Sequence, residues 1–286
     1  MKTPALTMRS APRGFTLIEL LVVISIIAVL AGMLLPVLGI AKTRAKVTKA
    51  KTEISNLMTA INQYEADYHR YPASDLARAS LTDEVPDFTF GTYYRRSDGS
   101  GYRLMNVTGK QACPTIDNGL RRLTYETSNA EVMSALCDIV EFRTGGLTPN
   151  KQEHVLNPKK NTYLDLTPVD SPMQPGAPAR PGLGADGVYR DPFGNPYIIS
   201  LDLNYDGRCR DALYRKASVS ADAANRGING LSRPTGVNSG NFFEANKSIM
   251  VWSFGPDGWA GDSTKANAND PTNPKVGNKD NVITWQ

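Results

Sequence analysis

The apolar residues of the chain begin with an almost unbroken run at 15–41, whose 27 residues include one ionisable side chain, Glu19. A helix of about 20 apolar residues spans the roughly 30 Å hydrocarbon core of a bilayer. The run is therefore long enough to cross a membrane once. A carboxylate in such a segment costs roughly 2.5–3.5 kcal/mol on insertion scales, which makes Glu19 a candidate functional residue.

Beyond this run the pattern changes to one apolar stripe at helical spacing. No Gly or Pro lies within 40–71, and Pro72 provides a stop. We predict a single helix over 15–68, weakened in the middle by Gly32 and Pro36, because an interior proline removes a backbone hydrogen bond. The stripe consists of Val47, Ile54, Leu57, Met58, Ile61, Tyr64 and Tyr68.

The rest of the chain predicts an α+β fold and is long enough for one core of ordinary domain size. Residues 129–142 have an amphipathic helical pattern, whereas 217–246, polar and rich in Gly and Asn, is predicted to be an insertion loop. An antiparallel sheet packed on the second half of the long helix would bury both apolar faces. Short apolar runs between turn residues predict strands at 163–166, 197–203, 212–216, 248–254 and 282–285.

The segment before the apolar run resembles a processed leader. Residues 1–14 carry three basic side chains and end at Gly14. A secretory signal has an apolar stretch of about 7–15 residues followed by its cleavage site, whereas here the candidate site, Gly14–Phe15, precedes the run. The string Arg-Gly-Phe-Thr-Leu-Ile-Glu-Leu at 13–20 resembles the type IV prepilin signal shared by pilins and type II secretion pseudopilins.

This resemblance implies processing, topology and assembly. A prepilin peptidase would cleave between Gly14 and Phe15, Phe15 would be N-methylated, and Glu19 would meet the N-terminal amine of a neighbouring subunit. The fold would be pilin-like, with a leader at 1–14, a transmembrane and assembly helix at 15–70, and a globular head at 71–286. The chain would cross the bacterial inner membrane once, with its head in the periplasm.

The charges beside the apolar run favour the opposite orientation. Three basic residues precede the run and five follow it within 42–51. A count of positive charges would therefore place the head in the cytoplasm. We follow the signal motif, because eight consecutive matching residues are more specific than a difference of two charges.

Two strings near the C-terminus resemble G-type major pseudopilins. Arg-Asp-Pro-Phe-Gly-Asn-Pro-Tyr at 190–197 is similar to a turn of that family, and Ser-Phe-Gly-Pro-Asp-Gly at 253–258 is similar to its calcium-binding end. The resemblance implies one calcium ion, which takes about six to eight oxygen ligands. The side-chain donors would be Asp257, Asp262 and Asp280; aspartates that only form turns are the alternative.

A second string rich in oxygen donors, Asp-Leu-Asn-Tyr-Asp-Gly at 202–207, begins like an EF-hand loop. The twelfth position is Leu213 rather than Glu, and Asp211 could substitute for that ligand. An Asx turn at a strand end is the alternative interpretation. We predict a second, weaker calcium site whose donors are Asp202, Asn204, Asp206 and Asp211.

Other classes of function find little support. Two histidines, His69 and His154, lack zinc-site spacing, and no nucleophile elbow or phosphate-binding loop is present, so we predict that the protein is not an enzyme. Loss of the leader lowers the net charge from +4 to +1, so no nucleic-acid partner is expected. Export would permit one disulfide among Cys113, Cys137 and Cys209, for which Cys113–Cys137 is one pairing.

The predicted function is that of a structural pseudopilin, which polymerises into the periplasmic filament of a type II secretion system. Its partners would be copies of itself, minor pseudopilins, the prepilin peptidase, the inner-membrane secretion platform and membrane lipid. One alternative is a type IV pilin of a surface pilus for adhesion, motility or DNA uptake. Another is a calcium-dependent domain tethered by a signal anchor. The resemblance does not cover most of 73–187, so the head is enlarged.

Overall fold

A long N-terminal helix is followed by an α+β head in the computed structural model. The structure describes residues 15–82, 86–95, 101–103, 128–143, 145–151, 153–169, 180–234, 236–237, 240–261, 264–269 and 277–285. The helices are α1 (Leu17–Tyr68), α2 (Asp75–Ala79), α3 (Ala130–Leu136) and α4 (Ala217–Ser220), with a 3₁₀ turn at Asn278–Asp280. The strands are β1 (Phe88–Phe90), β2 (Tyr93–Arg95), β3 (Gly101–Arg103), β4 (Gly182–Leu183), β5 (Tyr189–Arg190), β6 (Ile198–Leu201), β7 (Leu231–Ser232), β8 (Glu244–Ala245), β9 (Ile249–Ser253) and β10 (Val282–Ile283).

Helix α1 confirms the helix predicted from the two apolar patterns. Its 52 residues run through Gly32 and Pro36 without a break in helical assignment. By internal contacts the chain divides between Ala45 and Lys46, so that α1 contributes to two compact units. The N-terminal unit contains the apolar run, and the second unit contains the rest of α1 and the head.

The central sheet of the head has four antiparallel strands in the order β1-β6-β9-β10. Phe88 lies opposite Leu201, Ile198 lies opposite Trp252, and Val282 lies opposite Ser253. Both edge strands are short, with three residues in β1 and two in β10. The long helix and the antiparallel sheet agree with the predicted α+β, pilin-like fold, although each strand is shorter than its apolar run.

One face of the sheet packs on the second half of α1, as the apolar stripe predicts. Ile199 and Val251 belong to the same fully buried core as the helical residues. Tyr64 donates a short hydrogen bond from its hydroxyl to the carbonyl of Leu156, which fixes the helix against a following loop. The helical residues with no exposed surface are Ala50, Ile54, Leu57, Ile61 and Tyr64.

The other face of the sheet buries a second core, which the sequence pattern did not predict. Alternation along the strands directs Ile198, Met250 and Trp252 to this side. Four described side chains from 217–246, the segment predicted to be an insertion loop, cover them, so that prediction was wrong for this part of the segment. Those side chains are Val219, Leu231, Phe243 and Ala245.

Three local predictions were wrong, two because of hydrogen bonds outside a sheet and one because of a change in backbone conformation. Residues 212–216 form a turn, since the Asp211 carboxylate accepts the main-chain N–H groups of Leu213 and Tyr214 at 2.9 and 3.0 Å. Residues 163–166 are not a strand, because two of their N–H groups bond to the carbonyl of Leu136. Helix α3 ends at Leu136, shortly before Asp138 adopts a φ of 54°.

Candidate functional sites

The N-terminal unit exposes its apolar side chains. The exposed fraction is 81% for Leu17, 56% for Ile24 and 55% for Leu38. Among the described residues, α1 is the one helix long and apolar enough to cross a membrane. Transfer of apolar surface out of water is worth about 25 cal/mol per Å². This surface is therefore stable only where lipid or other protein surrounds it.

Glu19 lies in the first turn of α1 and forms a capping box with Thr16. One Glu19 carboxylate oxygen accepts the Thr16 main-chain N–H at 2.8 Å and the Thr16 hydroxyl at 2.7 Å. In return, the Glu19 N–H donates to the Thr16 hydroxyl at 3.3 Å. These bonds satisfy donors that the first helical turn leaves unpaired and place a negative charge at the positive end of the helix dipole. The Thr-x-x-Glu spacing ahead of an apolar run is the signal for Thr16 that our sequence analysis missed.

The predicted cleavage site straddles the beginning of the described chain. Gly14 and the rest of the leader lie outside the described residues. Phe15 lies two residues before the first residue of α1 and is 75% exposed. The candidate N-methylation position is therefore accessible at the start of α1.

Asp257 and Asp280 come together at the C-terminal end of the sheet. An Asp280 carboxylate oxygen accepts the main-chain N–H of Asp257 at 3.2 Å. The Asp257 carboxylate accepts the N–H groups of Trp259 at 2.8 Å and Gly277 at 2.7 Å. Burial raises the pKa of both carboxyls, and the Asp257 charge helps to raise the pKa of Asp280 to about 7. Burial disfavours the charged form of both carboxyls, and the Asp257 charge disfavours it further at Asp280, so this pair suits a bound cation.

The turn at 190–197 supports the same region. The Asp191 carboxylate accepts the N–H groups of Phe193 and Asn195 at 2.8 Å and the Ser253 hydroxyl through a short bond, which ties the turn to β9. The Asn195 side chain donates to the Gly255 carbonyl at 3.3 Å. Gly255 has a φ of 69°, and a Cβ there would lie 2.2 Å from the Asp280 carbonyl oxygen. The two strings that resemble one family are thus in direct contact.

The third predicted donor of this site, Asp262, lies outside the described residues. Within the described part of the chain, no three His, Cys, Asp or Glu side chains are gathered closely enough to hold a metal ion. The pair of Asp257 and Asp280 would therefore need main-chain carbonyls, water or further side chains to complete a calcium shell.

The predicted second site is only partly assembled. Asp202 accepts the N–H groups of Asp206 at 3.3 Å and Gly207 at 2.9 Å, and the Asn204 amide donates to the Asp206 carboxylate at 3.1 Å. These three side chains therefore share one loop. Asp211 does not join them, which corrects our prediction.

Asp211 instead serves as a fully buried acceptor in the second core. Its carboxylate accepts the Ser200 hydroxyl at 2.7 Å and the indole N–H of Trp252 at 2.9 Å. Together with the two main-chain donors at Leu213 and Tyr214, these bonds occupy both oxygens. No capacity remains for a metal ion.

The cysteines offer no disulfide among the described residues. Cys137 and Cys209 are free thiols, and Cys113 lies outside the described part of the chain. The pairing Cys113–Cys137 therefore stays a prediction. Burial raises the pKa of Cys137 to about 12, so this thiol stays protonated and unreactive at neutral pH.

Two protein-family models match the N-terminal third of the chain. Residues 9–35 match the family described as "Prokaryotic N-terminal methylation motif", and residues 38–97 match "Type II secretion system (T2SS), protein G". The chain is 34% identical over 104 residues to the type II secretion system core protein G of Pectobacterium carotovorum subsp. carotovorum, which covers 33% of this chain and 67% of that protein. It is 32% identical over 108 residues to the core protein G of Klebsiella michiganensis, covering 34% of this chain and 76% of that protein.

The chain belongs to the type II secretion system protein G family. A similarity to a pilus protein is shorter: the type IV wide pilus major component PilA4 of Thermus thermophilus is 42% identical over 74 residues, which are 26% of this chain and 56% of that protein. No solved structure matches. Each of these alignments covers about a third of this protein G homologue or less, so the family resemblance extends over only part of its large head.

Proposed function

We propose that this protein is a structural subunit of a type II secretion pseudopilus. After cleavage between Gly14 and Phe15 and N-methylation of Phe15, it would polymerise through α1 into a periplasmic filament. The observation that carries the proposal is the exposed apolar half of α1, which begins with a carboxylate at Glu19. Family membership supports it, because the matched segment begins at the methylation motif.

The assembly step follows from the chemistry of the new N-terminus. Cleavage would create an amine at Phe15, four residues before Glu19. In a filament the Glu19 carboxylate would pair with the amine of a neighbouring subunit within an apolar core. A buried charge without a partner is strongly destabilising, so correct pairing would select the axial position of each added subunit. The capping bonds to Thr16 would hold the carboxylate in place before that contact forms.

We further propose that Asp257 and Asp280 help to bind calcium in the head. Their proximity, partial burial and upward-shifted pKa values fit a divalent cation, which would favour the charged form of both carboxyls. Calcium would supply the positive charge that links the 3₁₀ turn before β10 to the end of β9. Asp262 is the further donor that the family resemblance implies.

The remaining proposals concern location and partners. We place α1 in the bacterial inner membrane as a single span before assembly, with the head in the periplasm. The partners would be further copies of this chain, minor pseudopilins, the prepilin peptidase, the inner-membrane secretion platform and lipid. A structural subunit of this kind needs neither catalysis nor nucleic-acid binding.

Substitution of Glu19 tests the assembly role. Glu19→Val removes the charge and the helix cap, whereas Glu19→Gln keeps an oxygen that can accept the Thr16 N–H and removes only the charge. We expect both variants to insert and to be processed but to form no filaments. The measurements are membrane fractionation, filament yield by electron microscopy and export of secreted protein.

The Gln variant separates the two roles of this residue. If Glu19→Gln assembles like the unmodified protein while Glu19→Val does not, the carboxylate acts as a helix cap and the ion-pair mechanism is wrong. Normal assembly of both variants would show that Glu19 has no role in assembly and would favour α1 as a passive membrane anchor.

Processing is tested at Gly14. A bulky substitution, Gly14→Leu, should accumulate the precursor, because the peptidase would no longer cleave before Phe15. Mass spectrometry of assembled unmodified protein should find N-methyl-Phe15 as the first residue. Detection of Met1 or Lys2 at the N-terminus of assembled protein would contradict the proposed cleavage.

The second candidate function is a type IV pilin, which the similarity to PilA4 favours. Deletion of the gene distinguishes the two. Loss of protein secretion with intact surface pili supports the pseudopilin. Loss of surface pili, motility or DNA uptake with intact secretion supports the pilin.

A further inference from the structure

The head contains a loop of oxygen donors at 202–207, here called the acidic loop. Tyr205 and Gly207 have φ angles of 60° and 79°, so the chain curls tightly around the Asp202 side chain. The resulting Asx turn explains two carboxylate acceptors in the loop, since Asp202 accepts the Gly207 N–H at 2.9 Å and Asp206 accepts the Arg208 N–H at 2.8 Å. A third carboxylate, from outside the loop, is buried beside it, and the Asx turn does not account for that burial.

That third carboxylate is Asp87, which directly precedes β1 and is only 3% exposed; Phe88 pairs with Leu201, so the start of β1 lies beside the start of the acidic loop. One of its oxygens accepts the Arg210 main-chain N–H at 2.7 Å, and the other has no hydrogen-bond partner among the described residues. A buried polar atom without a partner typically costs about 1–3 kcal/mol. Burial raises the pKa of Asp87 to about 7, and the nearby charges of Asp202 and Asp206 add to the effect.

The basic residues beside the acidic loop are engaged elsewhere. Arg208 forms a short ion pair with the buried Glu244, and Arg210 pairs with the same carboxylate at 3.1 Å. The Arg210 charge lowers the pKa of Asp87, but this effect is smaller than those of burial and of the two aspartates. Among the described residues, the three carboxylates Asp87, Asp202 and Asp206 therefore have no basic side chain that pairs with them alone.

We propose that the acidic loop and Asp87 together bind a divalent cation of the calcium class, at a site separate from Asp257 and Asp280. Asp87, Asp202 and Asp206 would supply carboxylate oxygens, and the Asn204 amide would supply a neutral oxygen. The loop spacing is that of the first half of an EF-hand, whose missing acidic ligand late in the loop would be replaced by Asp87 from another strand.

The cation must draw these side chains together, because they are not yet gathered around one point in the described residues. Asn204 is exposed, so its amide can turn its oxygen inward without loss of packing. Calcium tolerates irregular shells with mixed carboxylate, amide and carbonyl oxygens, whereas magnesium demands a near-octahedral shell and releases water reluctantly. The site should therefore prefer Ca²⁺ to Mg²⁺.

The test uses the full chain in detergent micelles, with Asp280→Asn as background so that the C-terminal pair is weakened. Calorimetric titration with CaCl₂ measures binding, and MgCl₂ is the comparison. Asp206→Asn and Asp87→Asn should each weaken Ca²⁺ binding by about tenfold or more, equivalent to about 1.4 kcal/mol. The control is Asp222→Asn, since Asp222 also accepts main-chain N–H groups in an Asx turn, at 2.9 and 2.7 Å.

Terbium provides a second readout that does not depend on stability. Tyr205 lies within the acidic loop, so Tb³⁺ bound there should emit when tyrosine is excited. Tyr205→Phe should reduce that emission and leave Ca²⁺ affinity unchanged. If Ca²⁺ does not bind in the Asp280→Asn background, or if Asp222→Asn weakens binding as much as Asp206→Asn, the proposed site is wrong. Neither result affects filament assembly, which is measured independently.

Discussion

The two halves of α1 use similar residues in opposite ways. Leu30 in the first half is more than half exposed, whereas Leu57 in the second half is completely buried by the head. The difference is not in helical propensity, since both lie in one continuous helix. The difference lies in which molecule covers the apolar side chains. The head of the same chain covers the second half of α1, whereas another molecule must cover the first half.

The largest expected contrast is between leucine truncations in the two halves. Leu57→Ala should destabilise the head by about 2–5 kcal/mol, because it leaves a cavity in a close-packed core. Leu30→Ala should leave that stability unchanged and impair filament formation instead. Urea unfolding of the full chain in detergent, followed by tryptophan fluorescence, reports on the head alone, because Trp252, Trp259 and Trp285 all lie there. Equal destabilisation of the head by both substitutions would contradict the conclusion that only the second half of α1 packs against it.

The head should also show a pH dependence that the first half lacks. The pKa of Asp280 is about 7 in the folded chain and about 4 when unfolded, so the folded state binds more protons between these values. Without calcium, this contribution to stability is complete below about pH 4 and is lost as the pH rises through about 7. After allowance for solvent screening, it should be on the order of 1–2 kcal/mol.

Asp280→Asn should flatten this dependence between about pH 4 and 8. Calcium should reverse the trend in the unmodified protein, because it binds the ionised carboxyls and stabilises the folded state by mass action. The measurement is the melting temperature across pH, with and without CaCl₂. A dependence that persists in Asp280→Asn would assign it to Asp87 or another carboxyl.

The smallest expected effects come from one helix cap in each unit. Thr16→Val should fray the first turn of α1 at a cost of about 1 kcal/mol without altering unfolding of the head. Ser74→Ala should cost the head a similar amount, because the Ser74 hydroxyl accepts the Ala77 N–H at 3.2 Å at the start of α2. Hydrogen exchange of the α1 N-terminus and urea unfolding of the head separate the two. A shift in head unfolding caused by Thr16→Val would show that the units are coupled.

The sequence predicted those parts of the fold that depend on local periodicity. The helical stripe located α1, and apolar runs located β6, β9 and β10, because both signals report which face is buried. It did not predict that 217–246 supplies a core, since only a few apolar residues in that polar segment, such as Phe243, are buried. Their burial depends on partners distant in sequence.

The roles of the aspartates also depend on partners that are distant in sequence. Asp257 and Asp280 lie together as expected, because the family motif specified both. Asp211 appeared to be a ligand from its position after the acidic loop, yet the indole of Trp252, 41 residues away, uses its oxygen. Asp87 had no sequence signal at all, since a lone aspartate before a strand resembles an ordinary turn residue.

The short edge strands of the head have a consequence for a protein that is concentrated by its own polymerisation. An exposed sheet edge presents unpaired N–H and carbonyl groups that can recruit a strand from another copy, and short edges limit such pairing. With three residues in β1 and two in β10, neighbouring heads offer each other little to extend. Short edges of this kind limit strand pairing between crowded subunits.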